Sequence, residues 1–195
     1  MKLTVVTSNT HKAVEVAAFF TGIAEIEHVS LDIPEYRYPK VREIAEEKAR
    51  DAYRALRRPV IVDDTGFFID ALNGFPGPNA AYVFETIGNQ GILKLMNGET
   101  DRRAHLETVI AYASKEEVRS FQGIIEGTIV PPKGREGFGY DPIFLYEGRT
   151  LAEIPLDEKS TVSHRARALT AFRAWITGSG EPAGGLSGPS GKTVK

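Results

Sequence analysis

The chain has 195 residues, 42% of them hydrophobic, with a formal net charge of −2 and no cysteine. Such a composition suits a globular domain. The missing thiols exclude disulfides and thiolate chemistry, and the slight acidic balance argues against a non-specific nucleic-acid coat.

In chain order, Lys2–Thr7 alternates into a β-branched run and reads as a strand. The same N-terminus turns polar too soon for a secretory signal, and no run approaches the ~20 apolar residues of a membrane span. A cytoplasmic protein that does not enter a membrane is therefore expected. A helix is predicted over Lys12–Thr21, with Val16, Phe19 and Phe20 on one side and Gly22 as its stop. Pro34 and Pro39 keep Leu31–Pro39 out of regular structure. Val41–Leu56 reads as a charged amphipathic helix with an apolar stripe of Ile44, Ala45, Ala49, Ala52 and Leu56. Pro59–Val62 forms a short buried strand that ends at two acids, Asp63 and Asp64. Residues 104–130 contain two β-rich runs joined at Lys115–Glu116, a hairpin pattern. A last helix is expected from about Ser163 to Ile176, with Leu169 and Phe172 inward. Residues 178–195 hold six Gly, three Ser and two Pro and read as a flexible tail, leaving one domain over 1–177. Strands mixed with helices, plus long antiparallel strands, imply a mixed α/β class.

Five stretches carry chemistry-bearing residues. TSNTHK, comprising Thr7, Ser8, Asn9, Thr10, His11 and Lys12, joins a strand to a helix. It can be an ordinary N-cap or a phosphate cradle built from helix N-terminal N–H groups. Asp63-Asp64-Thr65-Gly66 can be turn residues, or the hard oxygen donors that a divalent cation needs. Glu35 lies in a proline-bounded loop between Tyr36 and neighbouring apolar residues. GREGFGYDPIF places Phe138, Gly139, Tyr140 and Asp141 on a glycine-rich loop, where an aromatic ring can stack on a base or fill the core. Lys159, His164, Arg165 and Arg167 sit near the start of the last helix. Basic groups there add to the dipole's positive end, which favours anion binding over helix stability. Together these are the parts for cutting or transferring a nucleoside polyphosphate.

TSNTHK, VDDTGF, GFPGPNAAYV, FGYDPIF and EKSTVSHRARAL occur in the order found in the inosine triphosphate pyrophosphatase (HAM1/RdgB-like) family, and the resemblance runs from Lys2 to about Ile176. It implies an elongated two-lobed α/β fold around a long central mixed sheet, with a nucleotide cleft between the lobes. It also implies a homodimer that hydrolyses non-standard purine nucleoside triphosphates (ITP, dITP, XTP) to the monophosphate and pyrophosphate with Mg²⁺. On the resemblance, Thr7–Lys12 is the triphosphate loop and Lys48 faces phosphate. Glu35 and Asp64 match the metal-binding acids, with Asp63 a secondary candidate, and Asp64 also matches the general base. Thr65, Phe138, Gly139, Tyr140, Asp141, Lys159, His164 and Arg165 match substrate contacts, with Phe138 stacking on the base. Ala80, Tyr82 and Glu136 depart from the family's frequent serine, arginine and glycine. The alternatives are a Maf-like pyrophosphatase acting on pyrimidine or modified nucleotides, and a nucleotide sensor without catalysis.

Overall fold

The computed structural model describes residues 1–179. Of the expected tail, only Gly178 and Ser179 lie within the described residues. Strand β1 (Lys2–Val6) leads into helix α1 (Thr10–Phe19), and β2 (Glu25–Val29) returns parallel to β1. Helix α2 (Val41–Leu56) keeps the bounds its apolar stripe predicts. Its Ala45, Ala49 and Ala52 are wholly buried, small enough for the helix to lie close on the sheet.

Strand β3 (Val60–Ile69) corrects the sequence reading. It does not stop at Val62 but pairs antiparallel with β5 (Arg103–Ala113) along its whole length, Asp63 opposite Ile110 and Asp64 opposite Val109. The two acids are therefore mid-strand rather than in a turn. Polar residues continue a strand here because the ladder satisfies their backbone groups and each side chain finds a partner on its own face. After β3 come β4 (Pro76–Gly77) and α3 (Ala80–Leu95), both unanticipated from the pattern. The expected hairpin joins β5 to β6 (Val118–Ile129), and β7 (Phe144–Tyr146) and β8 (Arg149–Thr150) extend the sheet. Helices α4 (Leu156–Val162) and α5 (His164–Ile176) finish the described chain, with Ser163 capping α5 through the Ala166 N–H at 3.1 Å.

The mixed sheet has the order β2-β1-β3-β5-β6-β7-β8, with β4 on β3. Among the described residues, only β1–β2 and β1–β3 pair in parallel. At that end, α2 covers one face through Val62, Val109 and Ala111. Helices α1 and α5 cover the other through Ile61, Ile110, Leu169 and Phe172. The far ends of β3, β5 and β6 form a second lobe with α3, around Phe67, Ile92, Met96, Ile125 and Phe144. Asp63–Thr65 lies where the lobes meet. Among the described residues no helix is long and apolar enough to cross a membrane.

Candidate active site

Successive side chains of a strand point to opposite faces, and β3 uses this to separate its acids. Asp63 turns toward α1 and α5 and is buried. Its carboxylate accepts from Arg165 Nε at 2.7 Å and Nη2 at 3.2 Å, and faces Lys12 Nζ at 2.9 Å. Lys12 Nζ also donates to the Asp63 carbonyl at 2.9 Å. Burial pushes this carboxyl up, but Arg165 and Lys12 outweigh it and hold it well below the usual range. Thr65, two residues on and on the same face, accepts from Arg165 Nη2 at 3.2 Å and shares a 2.8 Å hydrogen bond with Thr108.

Asp64 turns toward α2. Lys48 Nζ lies 3.4 Å from its Oδ1 and 2.9 Å from Glu35 Oε2, bridging the two acids. Glu35 arrives on the irregular segment before α2 with its side chain 85% exposed. Asp64 Oδ2 is buried and has no hydrogen-bond partner. Burial is the largest influence on this carboxyl and raises it above the usual range despite Lys12 and Lys48. This face therefore has a carboxylate oxygen with spare capacity, a second carboxylate open to solvent and a cation between them. No group of three or more His, Cys, Asp or Glu among the described residues is arranged to hold a metal. Two carboxylates are what this face could offer a cation, a number that suits Mg²⁺ when substrate phosphates and waters supply the rest.

The loop before α1 has the geometry of a cap. Asn9 Oδ1 accepts the N–H groups of His11 at 3.0 Å and Lys12 at 3.3 Å, and Thr7 Oγ1 accepts that of Asn9 at 3.1 Å. Capping and a phosphate role are compatible, because the cap fixes the helix start that aims Lys12 at β3. Ser8, Thr10 and His11 are exposed along the same edge.

On the α1–α5 side, Phe138 stacks on His11 with centroids 5.2 Å apart and 16° between planes. Lys159 Nζ lies 5.3 Å and Arg165 Cζ 5.6 Å from the Phe138 ring centroid. Asp141 Oδ2 accepts the Phe138 N–H at 2.8 Å and Lys159 Nζ at 2.6 Å. Gly137 is obligatory in this turn: its φ is +72°, and a Cβ there would sit 2.1 Å from Asp141 Oδ2. Tyr140 points into the second lobe, where its hydroxyl donates to the Ala80 carbonyl at 2.8 Å. His164 is buried with Nδ1 unpartnered, and burial, followed by Arg165 and Lys159, holds it well below its ordinary pKa and hence neutral.

One residue that sequence reasoning missed organises all this. Glu15 is buried on α1 and accepts from Lys159 Nζ at 2.6 Å and from Arg165 Nη1. It joins Asp63, Asp141, Lys12, Lys159 and Arg165 into a cluster of three acids and three bases, balanced in charge. The signal was present: Glu15 lies one turn beyond Lys12, beside Val16 on the side that packs inward. The structure thus brings Lys12, Asp63, Thr65, Asp141, Lys159 and Arg165 into one network, and Glu35, Lys48 and Asp64 into a second across β3. Phe138 covers the first.

The Ham1 family matches residues 3–175. A Methanopyrus kandleri protein named dITP/XTP pyrophosphatase is 49% identical over 169 residues, which is 85% of this chain and 89% of that one. A Thermococcus kodakarensis protein of the same name is 43% identical over 180 residues, covering 90% and 97%. Among solved structures, a HAM1 protein from Coxiella burnetii gives a TM-score of 0.80 at 30% identity over 91% of this chain and 99% of its own. With the match spanning nearly all described residues and these relatives aligned over most of their length, the chain belongs to the Ham1 family.

Proposed function

We propose that the protein hydrolyses non-standard purine nucleoside triphosphates, dITP, ITP and XTP, at the α–β phosphoanhydride to give the monophosphate and pyrophosphate, as a cytoplasmic guard of the nucleotide pool. The observation that carries this reading is the unpartnered, buried Asp64 Oδ2 beside Lys48 and Glu35. A buried carboxylate oxygen without a donor costs about 1–3 kcal/mol, so its placement is better accounted for by chemistry than by folding. The likeness to proteins named dITP/XTP pyrophosphatase supports the substrate class.

On this reading the triphosphate lies along the N-terminal edge of α1, where Lys12 and Lys48 face its negative charge. Asp64 accepts the proton of the attacking water through the carboxylate that carries the unpartnered Oδ2. Asp64 and Glu35 would hold a divalent cation, for which we propose Mg²⁺. When bound, that ion supplies charge neutralisation to the phosphates and added acidity to water. Asp63 does a different job: it fixes Lys12 and Arg165, so we assign it to positioning ahead of metal binding. Phe138 offers its ring to the purine. Asp141 and Lys159 set the loop's shape, and the start of α5, with His164 and Arg165, lies at the edge where the 6-oxo group of hypoxanthine or xanthine would be read. Adenine, with an amino group there, would leave a donor unpaired.

We also propose a homodimer. Tyr82 is 69% exposed, and Phe75, Phe84 and Ile87 are also exposed on α3 and the loop before it. Exposed apolar side chains of this kind suit a symmetric contact with a second copy.

Pyrophosphate release from dITP, XTP, ITP, dGTP, ATP and dTTP, with Mg²⁺ and with EDTA, tests the reading. Metal-dependent release led by dITP, XTP and ITP is expected. Tight binding of these nucleotides without release would leave a sensor, and turnover led by dTTP would overturn the purine assignment.

A further inference from the structure

Helix α3 is broken. Gly88 has φ 58° and ψ −167°, a conformation open to glycine alone, so Ala80–Gly88 and Asn89–Leu95 are two helical pieces meeting at an angle. The break aims Asn89 at the glycine-rich loop, where its Nδ2 donates to the Gly139 carbonyl at 3.0 Å. That acceptor fixes which end of the amide faces the loop, since the reverse orientation would set two oxygens against each other. Asn89 Oδ1 is buried without a partner. The first piece of α3 grips the same loop on its other side: the Tyr140 hydroxyl donates to Ala80, and the Phe84 and Tyr140 rings meet edge to face at 5.4 Å. The two grips fall on adjacent loop residues, Gly139 and Tyr140, directly after Phe138.

We propose that Asn89 is a positioning residue for base selection, holding the Gly139 carbonyl so that Phe138 and the N–H groups beside it present one fixed surface to the purine. The proposal rests on the reading of Phe138–Asp141 as the base-facing loop. A glycine on either side of Phe138 leaves that ring free to swing unless an outside contact fixes the loop. Asp141 fixes it from the nitrogen side of Phe138, through the Phe138 N–H, and Asn89 from the carbonyl side, through Gly139. Asn89 does not touch the phosphate network, so its loss should weaken recognition of the base and leave the reaction at phosphorus intact.

The test uses the full chain with Asn89→Asp, which keeps the shape and removes the donor, Asn89→Ala, and Gln90→Ala as an exposed neighbouring control. With dITP and XTP as substrates, KM should rise about tenfold in both Asn89 variants, as loss of one partly buried hydrogen bond implies. Turnover should stay within about twofold of wild type. The preference for XTP over dGTP should shrink by a similar factor, while inhibition by inorganic tripolyphosphate, which has no base, should not change. Hydrogen exchange of residues 138–141 in the nucleotide-free protein should accelerate in the Asn89 variants and not in the control. That arm needs no substrate, so it separates this proposal from the functional reading. Unchanged loop exchange overturns the proposal even in an active enzyme. An equal loss of tripolyphosphate inhibition also overturns it, because the defect would then be general. Faster exchange in a protein inactive on every purine triphosphate would uphold the hold on the loop and discard the purine role together with the reading beneath it.

Discussion

Asp63 and Asp64 are adjacent in sequence, carry the same functional group and lie in the same strand, yet they occupy opposite electrostatic situations. On the α1–α5 side, Asp63 meets two cations and keeps its proton off far into the acid range. On the α2 side, Asp64 has one cation at 3.4 Å, an oxygen with no donor and a carboxyl that burial pushes up. The β-strand's period of two residues makes this possible. One step along the chain crosses the sheet from a saturated, charge-balanced interior to a face with unmet capacity. A single strand can thus hold a structural charge and a working charge only one residue apart. Function is expected where the capacity is unmet.

The largest effect that could break this comparison is on activity. Asp64→Asn should lower dITP turnover by roughly 10²–10⁴, the usual contribution of a positioned general base. Its melting temperature should not fall, because the amide relieves a buried carboxylate that folding disfavours ionised. Turnover and a thermal melt of the same preparation check both halves. Asp63→Asn should do the reverse in emphasis. It leaves Arg165 and Lys12 undercompensated, at a cost of about 3–5 kcal/mol for a broken buried pair. The expected fall in melting temperature is roughly 6–20 °C for a domain of this size. If Asp63→Asn melts like wild type and loses activity as fully as the Asp64 variant, the division of labour across β3 is wrong and both acids serve the reaction.

Much of this was legible in the sequence. Helix α2 could be bounded from its alanine stripe, and the last helix could be started at about Ser163, because both signals are local. The resemblance singled out Asp64, Lys48 and Glu35, which the residues alone did not, since a loop glutamate and two acids after a strand have ordinary explanations; the structure sets these three side chains together. The pattern failed where partners come from far along the chain. Asp63 looked like a turn residue because the cation that keeps it mid-strand, Arg165, is 102 residues away. Glu15 was missed because its partners, Lys159 and Arg165, are on α4 and α5. Helix α3 was obscured by Gly88, which breaks its period at the point that re-aims Asn89.

A smaller effect sharpens the α2 side. Glu35 is exposed, and its pair with Lys48 is of the kind that contributes within about 0.5 kcal/mol to stability. Glu35→Gln should therefore leave the melt unchanged. As a candidate cation ligand it should still matter, raising the Mg²⁺ concentration for half-maximal turnover roughly tenfold. A Mg²⁺ titration at fixed dITP measures this. An unchanged midpoint would leave Asp64 as the only protein ligand on that face.

The smallest effect asks whether the α1–α5 side of β3 is as dry as its ion pairs imply. His164, beside Arg165, is buried and held neutral by desolvation first and by Arg165 and Lys159 next. In the unfolded chain it titrates near ~6.5. The folded pKa is thus below the unfolded one, so the unfolded state binds the extra proton. The associated stability is present in full above about pH 6.5 and is lost as pH falls toward the folded value, at up to about 1.4 kcal/mol per pH unit. Asp63 and Glu15, held below the ordinary carboxylate range, contribute losses of the same sign only in stronger acid. Asp64 and Asp141 are raised, so the folded state takes up their protons first and they oppose the loss. The diagnostic quantity is therefore a difference. Urea unfolding between pH 7 and 5 should give a shallower decline for His164→Gln than for wild type. Parallel declines would mean that His164 gains its proton within the folded protein, and that water reaches the start of α5 even though its neighbours are fully paired.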